Sequence, residues 1–271
     1  MTGERDRQTP VPTCHPRAMD ATPMELNLSN LAAFVAATSG RRGTVAAVPG
    51  GVAVASPVAV ANGYVNAAFP TTSDVPATTF LAGSRTFFDG VGHPHVVWVP
   101  TVDADLLSAA VAAGGTSDGP DTPAMSRSTP IGTVTDLQIR RAESEEDRST
   151  FGRLCEEGYA EPGLAWLLDH HDSYDVSGAV WVIAADDDGD RGVGCGYIDG
   201  TTAGIYYVAT PPAHRGRGAA AAITTWLVDQ LLGSGATQVS LQASDDGYPI
   251  YDRLGFDTVG SYRRFVFDGP S

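Results

Sequence analysis

The sequence predicts an α/β protein in two compact halves, and three observations carry that prediction. Apolar residues at helical spacing alternate with short apolar runs of strand length. Two clusters of turn formers break the chain near its middle. The second half holds a hairpin, then a strand, a glycine-rich turn and an amphipathic helix. A chain of 271 residues exceeds the common single-domain size. With 42% hydrophobic and 18% charged residues it can bury a core.

Residues 1–23 are polar, proline-bearing and without periodicity, which predicts a flexible leader. Leu28, Leu31, Ala32 and Val35 then recur at helical spacing, and apolar runs at 44–48 and 52–55 read as strands. Residues 63–69 and 95–99 add two strands, and the alanine-rich stretch 103–113 adds a helix. These elements assign residues 24–115 to a first domain. Turn formers at 114–120 and 126–130 place a linker over 116–135, and residues 136–271 form the second domain.

The second domain opens with a strand at 137–141. Ser144, followed three residues later by Asp147, resembles a capping box, and the helix it starts carries Phe151, Leu154 and Cys155 on one side. Strands at 179–185 and 192–198 are joined by Asp186-Asp187-Asp188-Gly189-Asp190, and residues 203–210 supply the next strand. Past Pro211 and Pro212, a helix places Ile223, Trp226, Leu227 and Leu231 on one face. A strand at 237–243, a short helix at 248–254 stopped by Gly255, and a strand at 262–267 close the chain.

Composition excludes several functions. The formal net charge is -15, spread along the chain, which disfavours binding to nucleic acid phosphates. The chain has no lysine, and Asp greatly outnumbers Glu; a GC-rich genome and a salt-adapted proteome predict this equally. Cys14, Cys155 and Cys195 form no C-x-x-C pair and suit a reducing cytoplasm. No apolar run approaches bilayer length and no export signal is visible, so no membrane partner is expected.

The chemistry concentrates in Val208-Ala209-Thr210-Pro211-Pro212-Ala213-His214-Arg215-Gly216-Arg217-Gly218-Ala219-Ala220, between a strand and a helix. Gly216 and Gly218 permit tight turns and close approach. The first turn of the following helix presents unpaired N–H groups on the positive end of its dipole, a setting for a pyrophosphate. Arg215 and Arg217 can add charge-assisted contacts, and the small Ala219 and Ala220 keep the approach open. The glycine spacing does not match a dinucleotide fingerprint, and no acidic residue is placed to hold a ribose.

This segment resembles the GNAT superfamily of N-acetyltransferases, whose signature is R/Q-x-x-G-x-G/A between a strand and a helix; Arg215, Gly218 and Ala220 fall on it. Tyr251-Asp252-Arg253-Leu254-Gly255-Phe256 is similar to the family's Y-x-x-x-G-F segment, and residues 137–142 look like its first strand. The resemblance covers residues 137–267. It implies a twisted mixed, mostly antiparallel sheet flanked by helices in each half, the first half being a degenerate copy without the signature. It further implies acetyl-CoA as acyl donor, no metal, and a small-molecule or peptide amine as acceptor.

By that resemblance the backbone of Val208, Ala209 and Thr210 pairs with the pantetheine arm, and Arg215, Gly216, Arg217, Gly218, Ala219 and Ala220 hold the pyrophosphate. Tyr251 matches the family's frequent general acid, a role its hydroxyl suits chemically, while a core tyrosine packing on Phe256 is the plainer alternative. Asp245, Asp246, Glu161 and Tyr248 are base candidates by residue type alone. The first half is expected to shape the acceptor cleft and not to bind CoA. A CoA-binding sensor without turnover is the competing function, and nothing in the residues decides between a monomer and a homodimer.

Other constellations fail on spacing. Asp186, Asp188 and Asp190 imitate a calcium loop, but the twelfth position is Tyr197 and not Glu. His93 with His95, and His170 with His171, lack further ligands at metal spacing and read as surface or loop histidines. No G-x-S-x-G elbow is present.

Overall fold

A computed structural model of the chain describes residues 21–132 and 135–270. Most of the expected leader lies outside the described residues, but its last two residues cap and open a helix. Thr22 caps α1 (Pro23–Thr38) in a reciprocal capping box with Glu25, and Pro23 occupies the first turn, where its missing N–H costs nothing.

The first half continues with β1 (Thr44–Val48), β2 (Gly51–Ala55), β3 (Ala67–Pro70), α2 (Ala77–Val91), β4 (His95–Pro100), α3 (Ala104–Ala112), β5 (Thr116–Ser117) and β6 (Thr122–Arg127). The second half comprises β7 (Gln138–Arg141), α4 (Glu145–Tyr159), α5 (Leu164–His170), β8 (Ala179–Asp186), β9 (Gly189–Asp199), β10 (Thr202–Ala209), α6 (Ala219–Gly233), β11 (Gln238–Gln242), α7 (Tyr248–Arg253) and β12 (Asp257–Phe267). The Ser144–Asp147 capping box opens α4 as the sequence predicts.

The expected α/β class holds, with a mostly antiparallel sheet flanked by helices. The strands form one twelve-stranded sheet in the order β1-β2-β3-β4-β12-β6-β11-β10-β9-β8-β7, with β5 beside β12. Two pairs are parallel, β3 with β4 and β10 with β11. The stretch 116–135 is not a plain linker. Its turn formers flank β6, which inserts antiparallel between β11 and β12. The strand β12 in turn pairs with β4, so each half completes the ladder of the other.

Three apolar clusters hold the layers. α6 and α7 cover one face of the second half, centred on Ile223, Leu227, Val239 and Phe256. α2 and α3 cover one face of the first half through Phe80, Phe88 and Leu106. The third cluster lies on the opposite face and spans both halves, joining α1 and α4 to residues of β3, β4, β9 and β10.

Although α1 was assigned to the first domain, it packs on strands of both halves. Its Phe34 is fully buried and stacks on Tyr206 of β10, ring centroids 3.8 Å apart. Its fully buried Asn27 donates to the carbonyls of Met125 and Leu241 and accepts from Gln242 and the Tyr262 hydroxyl. Asn30 donates to the Thr202 carbonyl and accepts from the Tyr206 hydroxyl at 2.7 Å. A buried amide needs its hydrogen bonds made, so these contacts fix how α1 seats.

Two of the four histidines read as surface or loop residues are buried. His95 begins β4 and stacks between Phe88 and Phe267, and burial, then Arg85, pulls its pKa down to about 4. His171 is 2% exposed, and burial, then His170, pulls it down to about 4. Among the described residues, no helix is long and apolar enough to cross a membrane.

Candidate functional site

Each parallel pair joins at one end and parts at the other. β10 pairs with β11 only through Thr202, Ala203 and Gly204, after which β11 is held by β6 while β10 runs on to Ala209. Beyond Tyr206, β10 also loses register with β9 and regains it at Ala209. Tyr207 sits in this bulge with φ of 52°, a left-handed conformation that costs a non-glycine residue about 1–3 kcal/mol. The bulge bends β10 away from β11 and leaves a gap in the sheet.

The predicted donor residues lie along that gap and at its end. Val208 is half-buried and Ala209 buried. The hydroxyl of Thr210 is buried without a hydrogen-bond partner among the described residues, a costly state unless a bound group or water completes it. Gly192 of β9 makes room here, since a Cβ would stand 2.9 Å from the Ala209 carbonyl oxygen and 3.2 Å from the Thr210 hydroxyl.

The turn into α6 follows. Gly216 and Gly218 have φ of 78° and 82°, open space lies where a Cβ would project, and Gly218 caps α6 with no side-chain bond. Among the described residues the N–H groups of Gly216, Arg217 and Gly218 find no acceptor. Ala219 is buried and Ala220 half-buried, so the first turn of α6 presents backbone and no bulky side chain. This is an anion-ready surface.

The two predicted arginines differ. Arg217 is exposed at the turn. Arg215 reaches back, donating to the carbonyls of Thr210 and Gly158 and pairing with Asp246 at 3.5 Å, so it ties α4, β10 and the loop before α7 together. A third arginine, Arg191 of β9, is 5% exposed; it pairs with Asp186 and Asp188 and lies 3.2 Å from His214 Nδ1. It braces the turn from behind. Three aspartates that imitate a calcium loop thus include two that serve this arginine.

Tyr251 stands at the other side of the gap. It is 8% exposed and packs against Phe256, ring centroids 5.9 Å apart, yet among the described residues no group bonds to its hydroxyl. Burial, and then the neighbouring Tyr64, pushes its pKa well above the ordinary phenol range, so the hydroxyl keeps its proton at any working pH. Tyr251 belongs to the apolar cluster under α6, and Tyr64 packs on the cluster of the opposite face.

On that opposite face, Tyr64 lies 6.1 Å from Tyr207, and Asn62 donates to Glu161 at 3.3 Å. Asn62 and Tyr64 both come from the first half, and Tyr64 lies in a turn where a strand was expected over 63–69, the observed strand starting at Ala67. Sequence reading did not single out Tyr64, Tyr159 or Tyr207 because only the fold brings them together. Of the base candidates, Asp246 is paired with Arg215, Tyr248 bonds Thr258, and Asp245 and Glu161 are exposed.

The first half shows what the gap becomes without the signature. β3 and β4 pair through Ala67 and Ala68, then part around a cavity of about 720 Å³. Its lining includes Glu25, Asp103 and Asp105 and no Lys, Arg or His, and the turn into α2 has no glycine. Nothing there compensates a polyphosphate.

Residues 172–269 match the family model described as the acetyltransferase (GNAT) domain. Among solved structures, a GCN5-related N-acetyltransferase from Kribbella flavida is similar over 89% of this chain and 96% of its own, with 16% identity and a TM-score of 0.66. One from Sphaerobacter thermophilus matches over 93% and 95%, with 16% identity and a TM-score of 0.60. A tandem GNAT protein from the clavulanic acid biosynthesis pathway matches over 93% and 97%, with 13% identity and a TM-score of 0.61. At such identities the likeness is one of fold, and it extends through both halves. No curated protein matches the chain.

Proposed function

We propose that this chain, which carries a GNAT acetyltransferase domain in its second half, moves an acetyl or other short acyl group from acyl-CoA to a primary amine by direct attack in a ternary complex. The observation that carries the reading is the gap between β10 and β11. It ends on a turn whose N–H groups find no acceptor among the described residues, and beside it stands Tyr251, a buried side chain whose hydroxyl has no partner among them.

In this reading the backbone of Val208, Ala209 and Thr210 receives the extended pantetheine arm, as an open strand edge receives a new strand. The N–H groups from Gly216 to Ala220 hold the pyrophosphate, and the guanidinium of Arg217 adds a charge-assisted contact. Arg215 and Arg191 keep the turn in place from either side. The unpartnered Thr210 hydroxyl lies where a bound donor would complete its hydrogen bonding.

Acetyl-CoA supplies a thioester: the amine nitrogen bonds to its carbonyl carbon, the carbon–sulfur bond breaks, and the sulfur leaves with the electron pair. A thiolate leaves more readily when a proton is at hand, and Tyr251 offers one from a phenol that burial keeps protonated. The amine must lose a proton to attack. With Asp246 and Tyr248 engaged elsewhere, ordered water relayed to solvent or to Glu161 serves that step. The unpaired, buried thiols of Cys155 and Cys195 fit a cytoplasmic setting.

The test is release of coenzyme A thiol from acetyl-CoA across a panel of primary amines, with wild type and Tyr251→Phe. Acyl transfer predicts amine-dependent release that drops about 100-fold in the variant, with acetyl-CoA affinity unchanged within about twofold. Acetyl-CoA binding with no release in either protein would favour the sensor reading.

A further inference from the structure

The gap has an acceptor side as well as a donor side, and its lining is unusual in one respect. The hydroxyls of Tyr159, Tyr174, Tyr206, Tyr248 and Tyr262 are hydrogen-bonded within the protein. Those of Tyr64, Tyr197, Tyr207 and Tyr251 have no partner among the described residues, and of these Tyr64 and Tyr207 lie 6.1 Å apart beside the gap. The hydroxyl oxygens of Tyr64, Tyr207 and Tyr251 are reached by solvent, so they are open to bond a ligand that enters.

The geometry points to an acceptor subsite shared by both halves, with Tyr64, Tyr159 and Tyr207 as walls and Glu161 at the mouth, that takes a primary amine on an apolar or aromatic body bearing no carboxylate or phosphate. This deepens the acyl-transfer reading and rests on it.

The walls are fixed in advance. Tyr64 N–H donates to the Asn62 side chain, its carbonyl accepts from Ser39 at 2.6 Å, and its ring meets Trp98 edge-on at 5.5 Å. The preceding carbonyl, of Gly63, accepts from the Trp98 indole. The fully buried Asn66 pins the approach, bonding Ser56, Val58 and Val60. Tyr207 stands 5.9 Å from Phe34 and 6.0 Å from Trp181, an aromatic floor that cannot solvate an anion.

Charge selects the amine. Tyrosine faces attract ammonium groups, and the Glu161 carboxylate at the rim gathers cations. Arg264 is already paired with Asp118, and Arg215 with Asp246. An acceptor carboxylate or phosphate would enter without a partner, which is costly in a desolvated site. Phenols can both accept from the amine N–H groups and donate, so they orient the nitrogen without holding a charge there.

The experiment uses the full chain in two steps. Thermal unfolding with acetyl-CoA first establishes donor binding, and its failure would overturn the acyl-transfer reading and this inference together. Steady-state rates with phenethylamine, phenylalanine and glucosamine 6-phosphate then test the acceptor. The expected result is a kcat/KM for phenethylamine at least about tenfold above the other two, the cost of one unpaired buried charge or more. Tyr64→Ala should raise the KM for phenethylamine about tenfold while the KM for acetyl-CoA stays within about twofold, and Tyr64→Phe and the exposed Glu161→Gln should raise it less. Donor binding with no turnover of phenethylamine, preference for either anionic amine, or Tyr64 variants that move both KM values alike would overturn the inference alone.

Discussion

The hydroxyl of Tyr159, the last residue of α4, donates a 3.2 Å hydrogen bond to the carbonyl of Val208 on β10. That carbonyl is one of the backbone groups assigned to the pantetheine arm, so Tyr159 competes with the donor for it. The variant Tyr159→Phe should therefore bind acetyl-CoA about two- to tenfold more tightly, the worth of one exchanged hydrogen bond. Titration calorimetry checks this, and weaker binding would mean that Tyr159 assists the donor.

Asn27 makes the densest polar junction between α1 and the sheet, with four partners drawn from β6, β11 and β12. Replacing it by Leu leaves the Tyr262 hydroxyl and the Gln242 amide without their shared acceptor. The expected loss is about 3 kcal/mol or more, read as a lower urea midpoint at unchanged slope. A loss under about 1 kcal/mol would show that α1 is held by its apolar face alone.

His95 and His171 set a pH dependence. Burial holds both near a pKa of about 4, against an ordinary value of 6.5, so between those values the unfolded chain binds protons that the folded chain refuses. Stability should be complete above about pH 6.5 and fall as pH drops toward 4. His95→Phe keeps the stack between Phe88 and Phe267 and removes an imidazole nitrogen that has no partner among the described residues. Thermal midpoints at pH 7 and pH 5 should differ less in this variant than in wild type.

Much of the fold was legible where local chemistry and tertiary structure agree. Ser144 and Asp147 announce α4, and the run from Val208 to Ala220 announces a strand, a turn and a helix. What escaped has physical reasons. α2 begins at Ala77, after a Pro76 that offers no side-chain cap, and carries two glycines and three threonines, so no start signal marks it. The strand β6 is short and framed by turn formers, and its place between β11 and β12 follows from strand exchange, which no local pattern encodes.

The candidate site divides the same way. Gly216 and Gly218 were legible because a positive φ leaves a compositional mark, and Tyr251 because it stands at a fixed distance before Gly255 and Phe256. Tyr64 and Tyr207 are separated by more than half the chain and meet only when α1 and the turn after β2 dock on the second half. His95 looked like a loop residue because one polar side chain at a strand end says nothing about the aromatic rings on either side.

The most direct test of the account is thermal unfolding with and without acetyl-CoA, in wild type and in Gly218→Leu. A ligand that binds only the folded state adds about 2.7 kcal/mol at 100 times its dissociation constant, which raises the midpoint of a chain this size by several degrees. The account predicts that shift for wild type. It predicts little or none for the variant, whose side chain would project into the open space over the turn. No shift in wild type with acetyl-CoA or longer acyl-CoAs, at low and high salt, or an equal shift in both proteins, would contradict it.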